Sequence, residues 1–349
     1  MTRDDDRPVD AYLWDPAAEP SPEIESVERR LAGARFDPVR HPLQLPPSRV
    51  ARRGYARPLL ALAASLILLA AGASAFWSWR WNWPAGEPWR MTVQRAAGDT
   101  APVVSQLQVD QPLRLDPVAS ARVNIARIGT MRVAPGTALT LAETTSRRHR
   151  VFLDRGAVSV RVWAPPGRFA FSTPAGNVID LGCVFELSVD AEGTSEVRVD
   201  TGWVQLENGW GESLVPAGAA SIMRAAARPG VPVYDDALAA FRTSVRAFER
   251  ADGEAARGRM IDGVVSSARP RDVLTLLTLA NASPAPLKRP LLVRAAQLFP
   301  PPAAVSVEAI VAGDRDQLWR WYEALDLPPA KSWWLNWRDA LPAGLTGTR

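Results

Sequence analysis

The stretch PLLALAASLILLAAGASAFWSW, from Pro58 to Trp79, determines how the rest of the chain is interpreted. It contains no charged residue and runs for 22 residues, close to the ~20 that a helix needs to cross ~30 Å of hydrocarbon. This length predicts a single transmembrane helix at 58–79, with a short segment before it and a long segment after it.

The residues that flank this stretch predict its orientation. Arginines crowd its N-terminal side (Arg49, Arg52, Arg53 and Arg57), and tryptophans mark its C-terminal end (Trp77, Trp79, Trp81 and Trp83). Loops rich in arginine and lysine stay in the cytoplasm, whereas tryptophan collects at the membrane–water interface. We therefore expect residues 1–57 in the cytoplasm and the chain beyond residue 84 in the periplasm, with the protein in the inner membrane.

Two other interpretations of the apolar stretch stay open. Ala73-Ser74-Ala75 has the small-x-small form of a signal-peptide cleavage site. Against cleavage, the segment before the stretch is longer than the roughly 15–30 residues of a whole signal peptide. A buried core helix is the second interpretation, although such helices usually contain only about 10–14 apolar residues in a row.

The composition of the chain argues against several classes of protein. The net charge is +4, and the arginines are scattered among acidic residues instead of forming the basic stripe that nucleic-acid binding requires. The single cysteine, Cys183, allows no intramolecular disulfide. His41 and His149 would lie on opposite sides of the membrane, so they cannot share a site. The sequence contains no P-loop, HExxH or GxSxG motif. We expect no enzyme, no metal, no cofactor and no nucleic-acid partner.

The tail, residues 1–57, is too polar and too rich in proline to bury a core of its own. Ser21 followed by Pro22 predicts the start of one short helix, and a proline-rich linker follows it. Tyr12, Leu13 and Trp14 are large apolar residues with little to pack against. They either fold back on the short helix or anchor a cytoplasmic partner, since aromatic residues are favoured at interfaces.

The long segment after the apolar stretch changes its hydrophobic period once. Residues 89–228 contain short alternating runs separated by glycine-containing turns, a pattern typical of an all-β domain. From about residue 235 the apolar spacing becomes helical, which predicts five or six short helices over 235–342, packed in pairs as a repeat-like bundle. The fold class is therefore mainly β plus α, after one transmembrane helix.

One block within the β region, from Gly156 to Ile222, carries a set of ordered motifs. They are Gly156-Ala157-Val158, Phe171-x-Thr173-Pro174-x-Gly176, Leu181-Gly182-x-x-Phe185, Val197-x-Val199-x-x-Gly202-x-Val204 and Leu214-Val215-Pro216-Ala217-Gly218. In this order they resemble the FecR domain of bacterial single-pass transmembrane signal transducers. The resemblance implies a solenoid-like array of short strands, because each strand–turn unit would bury its face by stacking on the next.

The resemblance also implies a function. FecR-domain proteins bind an extracytoplasmic-function sigma factor through the cytoplasmic tail and receive a signal outside the membrane. The chain departs from the family in its tail, in its helical C-terminal region and at Cys183, where the family usually has threonine. We therefore expect a non-enzymatic membrane regulator with an outer sensing domain. The alternative is a cell-envelope adaptor whose outer domains bind a protein or glycan.

Overall fold

The computed structural model describes residues 17, 19–40, 42, 56–95, 102–325 and 327 of the chain. The chain forms two compact units, residues 1–68 and residues 69–349. The predicted domain bounds at 57, 79, 228 and 342 stay predictions, because the division into two units falls inside the apolar helix.

Helix α1 (Pro22–Leu31) lies in the first unit and begins where the sequence predicts. The Ser21 hydroxyl accepts a hydrogen bond from the Ile24 amide at 3.4 Å, which satisfies one of the unpaired donors of the first turn. Pro22 occupies the position where a missing amide hydrogen costs nothing. None of the residues of α1 is buried, so its apolar stripe joins no core among the residues that the structure describes.

Helix α2 (Ala56–Trp81) contains the apolar stretch and exceeds the predicted span at both ends. Leu62–Trp81, with a mean hydropathy of 1.6, is long and apolar enough to cross a membrane, and it is the one such helix in the described part of the chain. The side chains of residues 62–79 are largely exposed, for example Leu68 at 72% and Leu69 at 70%. An apolar surface of this extent requires lipid or a partner in place of water.

Fifteen strands follow among the described residues between Trp89 and Tyr234. They are β1 (Trp89–Arg95), β2 (Val103–Leu107), β3 (Pro112–Arg114), β4 (Ala119–Ile125), β5 (Gly129–Val133), β6 (Ala138–Thr144), β7 (His149–Val162), β8 (Phe169–Thr173), β9 (Gly176–Asp180), β10 (Val184–Val189), β11 (Ser195–Thr201), β12 (Trp203–Asn208), β13 (Gly211–Pro216), β14 (Ala219–Met223) and β15 (Val233–Tyr234). Most of them alternate buried and exposed residues, as strands with one face in a core do.

The strands form two layers that share β7. The first layer has the order β2-β1-β4-β5-β7-β10-β11-β14-β15, and the second has the order β3-β6-β7-β8-β9-β12-β13. The first half of β7 pairs with β6 and β8, whereas its second half, from Gly156 onward, pairs with β5 and β10. Strand β7 therefore bends from one layer into the other.

The predicted solenoid is wrong. A solenoid stacks successive strands in parallel, whereas here every pairing between named strands is antiparallel except that of β7 with β8. Short strands separated by glycine turns fit an antiparallel arrangement of hairpins as well as a solenoid, because the spacing of turns does not identify the partner of each strand. The result is a mixed sheet folded into a sandwich.

The core of the sandwich lies between the two layers. Phe171 on β8 and Phe185 on β10 are fully buried, and their rings meet edge-to-face with centroids 6.2 Å apart. Phe169 joins the same cluster at 5.0 Å from Phe171. Aromatic pairs of this geometry add to the stabilisation that burial of apolar area already provides.

Six helices follow the sandwich within the described residues. They are α3 (Ala239–Arg250), α4 (Gly253–Ser267), α5 (Val273–Ala282), α6 (Ala285–Leu298), α7 (Val307–Val311) and α8 (Arg315–Glu323). Helix α3 packs on α4, α5 on α6, and α7 on α8. They bury a second hydrophobic cluster that includes Phe241, Leu276 and Trp321. The paired packing agrees with the prediction from the helical period.

Candidate functional site

The residues of the FecR-like motifs form turns and crossovers of the sandwich. Gly156 lies at the bend of β7 with φ 99°, a backbone conformation that favours glycine. A Cβ atom at this position would approach the Thr137 Cα atom to 2.6 Å. The bend that moves β7 between the layers therefore depends on this glycine.

Gly182 and Gly202 lie where the chain crosses between the layers. Gly182 precedes β10, with φ 91°, and Gly202 separates β11 from β12, with φ 77°. A Cβ atom on Gly202 would lie 2.5 Å from the Gly182 carbonyl oxygen. The two crossovers can therefore pass this close together only because Gly202 has no side chain.

Thr173, Pro174 and Gly176 form the tight turn between β8 and β9. The Thr173 hydroxyl donates to the Gly176 carbonyl at 3.0 Å and accepts from the Ser195 hydroxyl at 2.8 Å. Ser195 begins β11 in the other layer, so this contact connects the layers. Together with the buried Phe185, these motif residues build the scaffold of the sandwich.

The predicted tail site, Tyr12, Leu13 and Trp14, lies outside the described residues, as does His41. The choice between folding back on α1 and binding a partner therefore stays a prediction.

The end of helix α2 docks on the sandwich through aromatic rings and an arginine. Trp163, which directly follows β7, is 4% exposed and stacks on Trp77 with ring centroids 5.3 Å apart. The Arg80 guanidinium lies 4.1 Å from the Trp163 ring centre and donates to the Trp163 carbonyl at 3.2 Å. Arg80 is only 8% exposed, so its charge is held by cation–π and hydrogen-bond contacts in place of water.

A second arginine, Arg127, caps the C-terminal end of α2. It lies in the turn between β4 and β5 and donates to the carbonyl oxygens of Trp79 at 2.6 Å and Asn82 at 3.2 Å. Its guanidinium also covers the Trp79 and Trp83 rings at 4.4 and 5.2 Å. A cation at this end is favourable because the last carbonyls of a helix are unpaired and carry partial negative charge.

The turn that contains Arg127 also contacts Trp163. The Trp163 amide donates to the Ile128 carbonyl at 2.7 Å. The last turns of α2, the β4–β5 turn and the end of β7 thus form one connected cluster, which we call the helix–sandwich junction (Trp77–Trp83, Arg127, Ile128 and Trp163). A rotation or displacement of either part has to disturb these contacts.

Sequence reasoning found only half of this junction. The tryptophans and Arg80 stand out beside the apolar stretch, but Trp163 and Arg127 carry no local signal. They are separated from their partners by 83 and 48 positions in the chain. A tryptophan at a strand end and an arginine in a turn are common, so only the tertiary structure identifies their role.

A cleft of about 340 Å³ lies between the sandwich and α3. Charged side chains line it in ion pairs, with Arg198 2.6 Å from Asp235 and Arg246 4.0 Å from Glu196. Both pairs are partly exposed, so water screens their attraction. The charges that line the cleft are therefore balanced.

Glu249 lies at the inner end of the cleft. Its carboxylate accepts a hydrogen bond from the Val231 amide at 2.7 Å. Burial raises the pKa of Glu249, although the Val231 amide and the arginines at 224, 246 and 250 act in the opposite direction.

The described residues contain no cluster of three or more histidine, cysteine, aspartate or glutamate side chains that could hold a metal ion.

Comparisons with known proteins identify no family. No family model matches the chain, and no curated protein matches it. It aligns with two crystal structures of a protein named as a "putative anti-sigma factor" from Parabacteroides distasonis ATCC 8503, each with a TM-score of 0.32 and 18% sequence identity. The alignment covers 39% of this chain and 65% or 64% of that chain. The chain thus matches less than two thirds of that protein.

Proposed function

We propose that the chain is a non-enzymatic, single-pass inner-membrane regulator of the FecR type. Its tail, residues 1–57, faces the cytoplasm, α2 crosses the membrane, and the sandwich and helices lie in the periplasm. The tail controls an extracytoplasmic-function sigma factor in response to an event at the outer domains. The FecR resemblance motivates the family and the sigma factor, and the apolar, exposed surface of α2 supports the anchor.

The observation that carries this proposal is the helix–sandwich junction. A regulator of this design has to convert an event at the outer domain into a movement of the membrane helix. A helix joined to its domain by a flexible linker would lose that movement. Here Arg80, Arg127 and Trp163 fasten the end of α2 to the sandwich, so a change in the orientation or association of the sandwich reaches the helix.

The first test addresses the tail. A peptide of residues 1–57 is immobilised and exposed to the purified sigma factor encoded nearest to this gene. We expect saturable binding that is lost when Tyr12, Leu13 and Trp14 are all replaced by alanine. Phe36→Ala, which removes another apolar residue of the tail, is the matched control and is expected to bind normally. Equal binding by all three peptides, or no binding by the native one, contradicts the proposal.

The second test addresses topology. Single cysteines at exposed serines before and after α2 are labelled in intact cells with a membrane-impermeant maleimide. Cys183 is the native cysteine and is buried, so it contributes little background. We expect labelling only at positions after Trp83. Labelling on both sides, or release of a shortened chain that begins after Ala75, contradicts an uncleaved anchor.

The alternative function is a cell-envelope adaptor, in which the outer domains bind a protein or glycan and the tail only assists insertion. The charge-balanced cleft beside α3 favours it, because such a cleft serves binding without any transmission. Deletion of residues 1–48 separates the two functions. An adaptor keeps its cellular function after this deletion, whereas a regulator loses it.

A further inference from the structure

The outward face of the first layer carries a row of polar and charged residues that begins with two neighbouring arginines. The pairing places Arg122, Arg132, Ser159, Glu186 and Arg198 opposite one another in that order. The row crosses β4, β5, β7, β10 and β11 and is roughly 19 Å long, at about 4.8 Å per strand. We call it the charged row.

The basic end of the charged row has no acidic partner. Arg122 and Arg132 are both exposed, and neither takes part in an ion pair between described residues. They occupy directly opposed positions on neighbouring strands, where like charges destabilise a sheet. Arg90 lies on the same face of the adjacent strand β1 and adds a further positive charge.

The neighbouring outward positions do not offset this charge. On β1, β2, β4, β5 and the second half of β7 none of them is acidic; they are Thr92, Gln94, Val104, Gln106, Ser120, Asn124, Thr130, Ala157 and Arg161. The outward face of an antiparallel sheet is expected to be polar, but solubility alone does not require one sign. Alternating signs would stabilise the same face.

A trough of about 450 Å³ runs beside the charged row. Small side chains line part of it, namely Ser120, Ala134, Ala157 and Ser188. Arg132 lines it on the side of β5, and Glu186, Glu196 and Arg198 line it on the side of β10 and β11. Arg198 is paired with Asp235 at 2.6 Å and Glu196 lies 4.0 Å from Arg246, which leaves Glu186 as the acidic charge of that side.

We propose that this trough and the charged row bind an extended segment of a protein partner. The segment has acidic side chains at one end, which face Arg122 and Arg132, and basic side chains at the other end, which face Glu186. About six residues of extended chain span the row, at roughly 3.3 Å per residue. The acidic side chains of the bound segment remove the repulsion between Arg122 and Arg132.

A uniform polyanion fits this surface poorly. Anionic polysaccharide or nucleic acid carries negative charge along its whole length, so its second half would meet Glu186. Like charges that face each other across an interface suppress binding of the wrong partner. The same glutamate that repels a polyanion attracts the basic end of the protein segment.

The test uses the full-length protein in a non-ionic detergent and three fluorescent peptides of equal length. The first has glutamates, serines and then lysines; the second has glutamates throughout; the third has glutamates, serines and then glutamines. Fluorescence anisotropy measures their affinities at low and high salt. We expect the first peptide to bind roughly tenfold more tightly than the second, with the third between them, and added salt to weaken binding.

Substitutions identify the surface. Arg122→Gln and Arg132→Gln should each weaken binding of the first peptide by roughly fivefold to tenfold, whereas the control Arg147→Gln, an exposed arginine in the β6–β7 turn, should not. Glu186→Gln should reduce the preference of the first peptide over the second. Equal binding of the first two peptides, no binding of any, or equal losses in the Arg147 and Arg132 variants overturns the proposal. None of these measurements depends on the membrane or on the tail.

Discussion

The buried imidazole of His149 predicts that acid destabilises the sandwich by a calculable amount. His149 begins β7 and is 4% exposed. The Trp89 indole donates to the Thr144 hydroxyl at 3.0 Å, and the same hydroxyl shares a hydrogen bond with the His149 Nδ1 atom, 2.8 Å away. Burial of this imidazole favours its neutral form.

The pKa of His149 is lowered from 6.5 to about 4, first by burial and second by the charge of Arg168. The unfolded chain binds a proton near pH 6.5 and the folded chain does not, so stability is lost as pH falls through this window. At about 1.36 kcal/mol per pKa unit, the loss reaches about 3 kcal/mol at pH 4. The contribution of the neutral His149 imidazole to the free energy of unfolding is fully present above pH 6.5.

Two measurements test this linkage. Proton NMR of the His149 ring in a His41→Asn variant, which leaves a single histidine, should show no titration between pH 7 and 5. Urea unfolding, followed by tryptophan fluorescence, should show that the native chain loses about 3 kcal/mol more than His149→Asn between pH 7 and 4. Asparagine offers both a donor and an acceptor near the Nδ1 position but does not titrate. Parallel pH profiles for the two proteins refute the reasoning.

Three further predictions concern the bend of β7, the cleft and the junction. Gly156→Ala should lower the free energy of unfolding in urea by about 2–4 kcal/mol, because of the clash with Thr137 and the positive φ. The control Gly136→Ala, also at positive φ but in open space, should lower it less. Equal losses in the two variants would contradict the clash. Glu249→Gln should stabilise the protein at pH 7, because the raised pKa of Glu249 means that its ionised carboxylate is disfavoured in the folded protein. The gain should vanish below about pH 4, near the usual pKa of glutamate, where the carboxyl group is protonated in the folded and the unfolded chain. An unchanged stability at pH 7 would contradict this. Arg127→Gln should lower the free energy of local opening at the end of α2 by about 1 kcal/mol. Amide hydrogen exchange in residues 79–83 should then be about fivefold faster. Unchanged exchange would show that the cap contributes nothing.

Local features of this chain could be predicted from its sequence because they depend on neighbours along the chain. The cap of α1 at Ser21 follows from side-chain chemistry within one turn. The apolar helix was expected at 58–79 and extends over Ala56–Trp81, since helical hydrogen bonding continues through the flanking arginine and tryptophans. The alternation of the strands likewise indicated which residues face a core.

The partners of the strands could not be predicted in this way. Alternation assigns each residue to a face but does not identify the neighbouring strand, so it could not correct the solenoid that the family resemblance implied. Strand β7 belongs to both layers, and only the position of Gly156 in its middle hints at the bend. The junction of Arg80 with Trp163 and the charged row through Arg122 and Arg132 both arise from this long-range pairing.

The charged row and the helix–sandwich junction share the β4–β5 hairpin, so they should respond together. Arg122 and Arg132 lie on its two strands, and Arg127 lies in its turn, bonded to the Trp79 carbonyl. A ligand that removes the repulsion between the two arginines stabilises the pairing of β4 with β5. Because the hairpin is a cooperative unit, the turn should open less often as well.

Hydrogen exchange tests this coupling in the full-length protein. We expect the glutamate–serine–lysine peptide to slow amide exchange at residues 126–128 and at residues 79–83, although it touches neither segment. The Arg132→Gln variant should show no such protection at the same peptide concentration. Protection at the charged row without any change at residues 79–83 would mean that the sandwich binds its partner without informing the helix. That outcome would favour the adaptor over the regulator, because a regulator requires the two surfaces to be coupled in free energy.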